Sequence, residues 1–301
     1  MGIDLHLHTS ASDGTLSPSE LVRYAVKRGV QAIAVTDHDT IDGNEEAIGE
    51  GHQVHLTVIP GVEISVDYPS GTMHMLGYLF DNQNEALREK LKLLQKFRAE
   101  RNPRIAEKLT RLGMPTPYEE VVQLSGGGQV GRPHFARFMV EKGYVRSEQE
   151  AFEKYLKKGA SAYEEKVRFS PSDAVALILG AQGVPVLAHP FTLNCKRPEE
   201  LDHVVKGLVE AGLKGIEVFY PEHSEKETLE YQHLADRYGL IVTGGSDFHG
   251  NGGSGIDLGT GRGNLNVPYE LLNTLYQAKE KIDTGVRGWD SGISFSKKKT
   301  R

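Results

Sequence analysis

The sequence predicts an α/β fold: a barrel of mostly parallel strands with a helical block inserted part-way along the chain. Three observations carry this. Strand-like apolar runs alternate with amphipathic helical stretches over residues 1–83, and again from about residue 170 onward. Between them, residues 84–158 lose the strand signal altogether. Histidines and carboxylates recur at the ends of the predicted strands, the face on which a parallel α/β barrel builds its active site. Strand order is not readable at this level, so an open parallel sheet stays as the alternative.

Taken in order, Ile3, Leu5 and Leu7 alternate with Asp4, His6 and His8, a period of two that makes a strand with both imidazoles on one face and the aliphatic residues on the other. Ser17-Pro18-Ser19-Glu20 has the form of a capping box with proline at the first helical position, and Gly29 supplies the stop. Residues 32–36 form a continuous apolar strand of the doubly buried kind, running into Asp37-His38-Asp39. A helix then leads to a strand over 56–59 that closes on Gly61-Val62-Glu63, and residues 73–80 form another strand with His74 near its start. In the insertion, Leu87, Leu91, Leu94, Ile105 and Leu109 mark a long helix, bent or interrupted at Pro103. Shorter helices follow near 118–124, 133–143 and 147–157. The alternation resumes with a helix at 171–182, a strand at 184–188, a helix at 198–211, a strand at 215–219, a helix at 224–238, and a strand at 240–243 that runs into Gly245-Ser246-Asp247-Phe248-His249. A last helix lies near 268–281. The expected division is a discontinuous barrel over 1–83 and 160–290, a helical cap over 84–159, and a solvated tail over 291–301.

Composition narrows the function. A formal charge of −6 argues against broad binding of nucleic acid or membrane surfaces, though not against a small basic pocket, and no apolar run reaches the length of a membrane span. Cys195 is the only cysteine, so no intrachain disulfide is possible. With no secretory pattern at the start, a reducing, cytoplasmic setting is expected.

His6, His8, His38, Glu63, His189, Asp247 and His249 all fall at or just past a predicted strand end, with Asp13 and His74 close enough to join them. Any one of these alone reads as an ordinary buried or solvated side chain. As a set drawn from separate strands, they read as a cluster of metal ligands in which imidazole and carboxylate are mixed, a donor set suited to zinc, manganese or iron. His52, His55, His203 and His233 fit no such pattern and read as surface residues.

His6-Leu7-His8, Asp13-Gly14, Thr36-Asp37-His38, Gly61-Val62-Glu63, His74, Ala188-His189-Pro190 and Gly245-Ser246-Asp247-Phe248-His249 together resemble the polymerase and histidinol phosphatase (PHP) family of metal-dependent phosphoesterases. The resemblance implies a distorted (β/α)7 barrel holding two or three divalent ions. It places one ion on His6, His8, Glu63 and Asp247, a second on Asp13, His38 and His249, and a third on His74 and His189 with Glu63 as the bridge. Some members carry histidine where this chain has Asp13, which bears on the second ion's identity. Similar insertions, with arginines in corresponding places, occur in a subfamily that acts on nucleotides.

Clustered ions bridged by carboxylates suit in-line attack on phosphorus by a metal-activated hydroxide, so no covalent nucleophile is needed, and Ser10, Ser12 and Cys195 lack the base such a role requires. His223 is the candidate general acid, and Asp247 is counted with it as catalytic. Arg98 and Arg101, three apart on one helix face, together with Arg132 and His134 at a helix start, are the candidate substrate-binding residues. The leading expectation is hydrolysis of phosphate monoesters of small nucleotides, above all nucleoside 3′,5′-bisphosphates. A 5′-3′ exoribonuclease on short RNA, a histidinol phosphatase and a non-catalytic metal-binding barrel are the alternatives. The expected partner is therefore a small nucleotide or short RNA, with no membrane and no stable nucleic-acid complex.

Overall fold

The computed structural model describes residues 2–250 and 255–285; the expected C-terminal tail, 291–301, lies outside them. Seven strands form one curled sheet in sequence order: β1 (Asp4–Leu7), β2 (Ala32–Val35), β3 (Thr57–Val66), β4 (Met73–Tyr78), β5 (Val184–Leu187), β6 (Gly215–Phe219) and β7 (Ile241–Gly244). A short seam joins the first strand to the segment after the last, where His8 N–H donates to Phe248 O and Asp247 N–H donates to His6 O. Helices α1 (Pro18–Arg28), α2 (Asn44–Val54), α7 (Pro171–Gly180), α8 (Pro198–Glu210), α9 (Glu225–Tyr238) and α10 (Glu270–Gly285) belong to the sheet. Between β4 and α7 stand α3 (Glu85–Arg111), α4 (Tyr118–Leu124), α5 (Arg132–Glu141) and α6 (Glu148–Ala151), the last continued by a wider helical turn at Phe152–Leu156. No helix among the described residues is long and apolar enough to cross a membrane.

The helix starts are set by local chemistry. In α1, Ser17 accepts from Glu20 N–H while Glu20 accepts from Ser17 N–H, a reciprocal cap of the kind that contributes about 1 kcal/mol. Ser224 and Glu227 repeat the device at α9. In α3 the helix continues through Pro103 instead of breaking, and Arg104 donates to the Glu100 carbonyl beside the proline. The first half of α3 packs Leu87, Leu91 and Leu94 onto the sheet's core. Its second half packs Ile105 and Leu109 with Val121, Phe135, Phe138, Met139 and Leu156, so the inserted helices have a core of their own.

Three departures from the sequence reading matter for the site. β4 runs antiparallel to both β3 and β5, so the sheet is mixed and not wholly parallel. β3 extends to Val66, three residues past Glu63, and from Gly61 onward pairs with β4 after its pairing with β2 has ended. The register of β1 against β2 shifts between Asp4 and Leu7; Ile3 and Leu5 pack with α10, whereas Leu7 packs with Leu21 and Val22 of α1.

Candidate metal centre

Each polar side chain reaches the open end of the sheet for an identifiable reason. His6 lies in β1, and His8 follows it where the seam to Phe248 holds the chain. Asp37 accepts from Thr9 N–H, Thr9 Oγ1 and Ser12 Oγ, folding the turn that presents Asp13. Past β2 the chain keeps pairing with β3, with Asp39 N–H donating to Glu63 O, which sets His38 beside Glu63. His74 stands near the start of β4, and because that strand is reversed, its start lies at the same end as the exits of the parallel strands. His189 and Asp247 hold positive φ angles of 23° and 56°, a backbone state uncommon outside glycine and typical of functional sites.

The structure brings together all nine residues singled out as ligands. Glu63 Oε1 lies 2.7 Å from His74 Nδ1 and 2.9 Å from His189 Nε2, and those two nitrogens are 3.4 Å apart. Glu63 Oε2 lies 2.9 Å from His38 Nδ1, 3.4 Å from His8 Nε2 and 3.5 Å from His6 Nε2. Asp247 Oδ1 is 3.0 Å from His8 Nε2 and 3.4 Å from His6 Nε2. Asp13 reaches His249 Nε2 at 3.3 Å and His38 Nε2 at 3.9 Å. His8 also faces Asp13, so the group around Asp13, His38 and His249 contains one imidazole more than the sequence reading gave it.

These spacings fit a cation: donors about 2.1 Å from a tetrahedral ion stand about 3.4 Å from one another. A second observation agrees. His6 Nε2, both ring nitrogens of His8, His38 Nδ1, Glu63 Oε2 and Asp247 Oδ1 are buried without a hydrogen-bond partner, and they converge. Buried lone pairs left unsatisfied are costly unless something electropositive meets them. Without that charge, the acids and imidazoles polarise one another. Burial opposes charge on Glu63, yet His38, His74 and His6 hold its carboxyl well below the usual range. Burial and the neighbouring His249 push His8 down to about 4, whereas Asp13 and Asp247 overcome burial and lift His249 to about 10.

Beside this cluster lies a cationic pocket. Arg98 and Arg101 of α3 are both buried; Arg98 donates to Asp39, while Arg101 donates to the amide oxygen of its neighbour Asn102. Burial and the charges of Arg98, Arg132 and Arg168 lower Arg101 to about 9. Burial and Arg168 lower Arg132 to about 10; its guanidinium lies over the rings of Tyr163 and Phe152. Lys166 donates to Asp39 as well. A Cβ built on Gly131 would stand 3.7 Å from Arg98 Nη1 and 3.9 Å from Asp13 Oδ2, so the pocket and the metal cluster adjoin at this glycine. Sequence reasoning missed Lys166 and Arg168, although a Lys-x-Arg run where the insertion returns to the barrel was a usable signal.

Two expected roles look different in the structure. His134 uses Nδ1 to accept from Gly131 N–H, capping α5, which leaves only Nε2 for a ligand. His223 donates Nδ1–H to Val218 O, its Nε2 is buried and unpartnered, and burial lowers its pKa. It therefore rests neutral and presents a lone pair, whereas the acid role expected from the sequence needs a proton there. Tyr220, also missed, stands between His223 and the cluster and donates to Asp247 Oδ2.

A family model described as the PHP domain matches residues 4–252. The chain belongs to the PHP family. It is 34% identical over 258 residues to a 3′,5′-nucleoside bisphosphate phosphatase of Chromobacterium violaceum, across 85% of this chain and 90% of that protein. It is 36% identical over 250 residues to a 5′-3′ exoribonuclease of Escherichia coli, across 82% and 84%. A solved structure described as a metal-dependent phosphoesterase from Bifidobacterium adolescentis superposes with a TM-score of 0.83 at 28% identity, over 92% of this chain and 96% of that one. This PHP protein is a metal-dependent phosphoesterase, a hydrolase of phosphoric ester bonds.

Proposed function

We propose that this phosphoesterase removes phosphate from small nucleotides, chiefly nucleoside 3′,5′-bisphosphates, with the nine clustered side chains holding its divalent ions. The observation that carries the reading is the contact of two unlike groups at Gly131: a nest of imidazoles and carboxylates on one side, and on the other a group of cations in which Arg98 and Lys166 share the carboxylate of Asp39 while Arg101 and Arg132 repel one another. One phosphate would be cut at the first while the second is held by Arg98, Arg101, Arg132, Arg168 and Lys166, arginine being suited to two-point recognition of phosphate. Bound divalent ions supply Lewis acidity, bringing the pKa of water from 15.7 toward about 7 and neutralising phosphoryl oxygens. The chain's part is positioning. Asp247, gripped by Tyr220, keeps Oδ1 aimed at His6 and His8. His223 offers Nε2 near the leaving oxygen and acts as acid only after taking up a proton there. The bond between Gln129 N–H and Ala11 O brings the insertion down on the turn after β1, helping to exclude bulk water.

The test is phosphate release by manganese-loaded protein from adenosine 3′,5′-bisphosphate and from histidinol phosphate. The bisphosphate is expected to be hydrolysed with far the higher kcat/KM, and Arg132→Ala to raise its KM more than that of a small aryl phosphate. The reverse preference overturns the reading. The identity to the E. coli exoribonuclease supports a second reading, trimming of short RNA from its 5′ end. A parallel assay with 5′-phosphorylated RNA reveals that activity as released mononucleotides.

A further inference from the structure

Glu217 is a fully buried carboxylate in the middle of the apolar strand β6, and neither the ligand set nor the phosphate pocket uses it. Burying an ionised carboxylate is costly unless its oxygens are met by donors. Both are. Oε1 lies 3.0 Å from His6 Nδ1, and Oε2 accepts from the backbone N–H of His189 at 2.7 Å. His6 is its only ion-pair partner among the described residues. The local backbone is shaped for this. Pairing of β5 with β6 ends at Leu187 and Ile216, so the next acceptor offered to the chain entering His189 is the Glu217 side chain. On the other flank, the register against β7 shifts between Glu217 and Phe219, a bulge of the kind that re-aims a side chain. His189 itself sits at a φ of 23°, a conformation that needs outside support.

We propose that Glu217 is a positioning residue that fixes two metal ligands at once, His6 through its ring and His189 through its backbone. The proposal rests on reading the nine clustered residues as ligands. With Glu217 Oε1 at its Nδ1, the His6 ring is turned so that Nε2 faces Glu63 and Asp247 at 3.5 and 3.4 Å, the side on which it would serve as a ligand. The other oxygen holds the turn that carries the His189 ring to Glu63 Oε1 and His74. One carboxylate thus couples the group containing His6 to the group containing His189. Among the described residues, no hydrogen bond or ion pair links it to Asp13 or His249.

Glu217→Gln keeps size and shape but offers one oxygen where two donors must be met. Stepwise zinc affinities, measured by competition with a chromogenic chelator, are expected to fall 10- to 100-fold for the ions that depend on His6 and His189. The affinity at the Asp13–His249 group stays unchanged. Equal affinities in variant and wild type overturn the role of Glu217, and so does a uniform loss at every site, which marks general damage. A measurement without mutation decides the matter if the variant does not fold. In zinc-loaded wild type carrying 15N-histidine, His6 is expected to show a protonated Nδ1 and a metal-bound Nε2, and the opposite pattern refutes the proposal. A wild-type chain that takes up no zinc sinks the metal reading itself, and neither experiment depends on which substrate is cut.

Discussion

Glu63 stands within 3.5 Å of five imidazoles, and its strand position explains how one side chain reaches so many: it is held between the segment carrying His38 on one side and β4, which carries His74, on the other. At this scale the sequence was readable wherever polarity interrupted an apolar run at its end, as at His8, His38 and His249. Glu217 was missed because it interrupts a run in its middle, where only burial tells a partnered carboxylate from a solvated one. Asp39 was missed too, although it accepts from Ser65, Arg98 and Lys166 together. His134 yields a pH prediction. Burial holds its imidazole at about 4, against 6.5 when unfolded. Between those values the unfolded chain binds a proton that the folded chain refuses, so stability is full above about 6.5 and is lost as the pH falls toward about 4. The loss amounts to about 3 kcal/mol. Melting curves of metal-free protein should therefore drop less steeply from pH 7 to 4.5 in His134→Asn, which keeps an acceptor for the cap, than in wild type.

Among the elements, helix starts were plain in the sequence because capping chemistry is local, as Ser17–Glu20 shows. The direction of β4 was not, yet a physical argument for it exists. Only residues 67–72 separate β3 from β4, and a parallel crossover needs about a dozen or more. The reversal is what turns His74, an awkward residue at a strand's beginning, into a member of the cluster. The seam between insertion and barrel is equally a matter of elements. A Cβ on Gly128 would fall 1.7 Å from Ser10 O, a backbone atom that has little room to yield. Gly128→Ala should push the segment carrying Gln129 off the turn after β1, at a cost of about 1–3 kcal/mol. A lower melting temperature, with KM raised more for a bisphosphate than for an aryl phosphate, is the expected result; unchanged values of both would detach this contact from substrate binding.

For the molecule as a whole, the nine clustered side chains come from both flanks of the insertion and from widely separated parts of the chain, so a ligand that bridges them binds only the folded state. Zinc or manganese at about a hundred times its dissociation constant should add about 2.7 kcal/mol of stability per independent site. Thermal melts with and without metal, followed by chelator, check this, and a melting temperature indifferent to metal counts against the cluster as a binding site. The basic pocket is invisible in a net charge of −6, because a handful of buried and half-buried guanidinium groups is outweighed by the acids of the rest of the chain. Its members lie far apart in sequence, on α3, at the start of α5 and on the return segment, and only the fold gathers them.

The grip of Asp39 on Arg98 and Lys166 has a consequence for ancestry. Those two residues lie toward the outgoing and the returning stem of the insertion, and both are tethered to one carboxylate of the barrel. On the proposed reading, what recognises the substrate is written in a cassette, moored at a fixed post, beside hydrolytic machinery written elsewhere. On that reading, a lineage that exchanged the cassette would acquire a new diet while its engine stayed as it was.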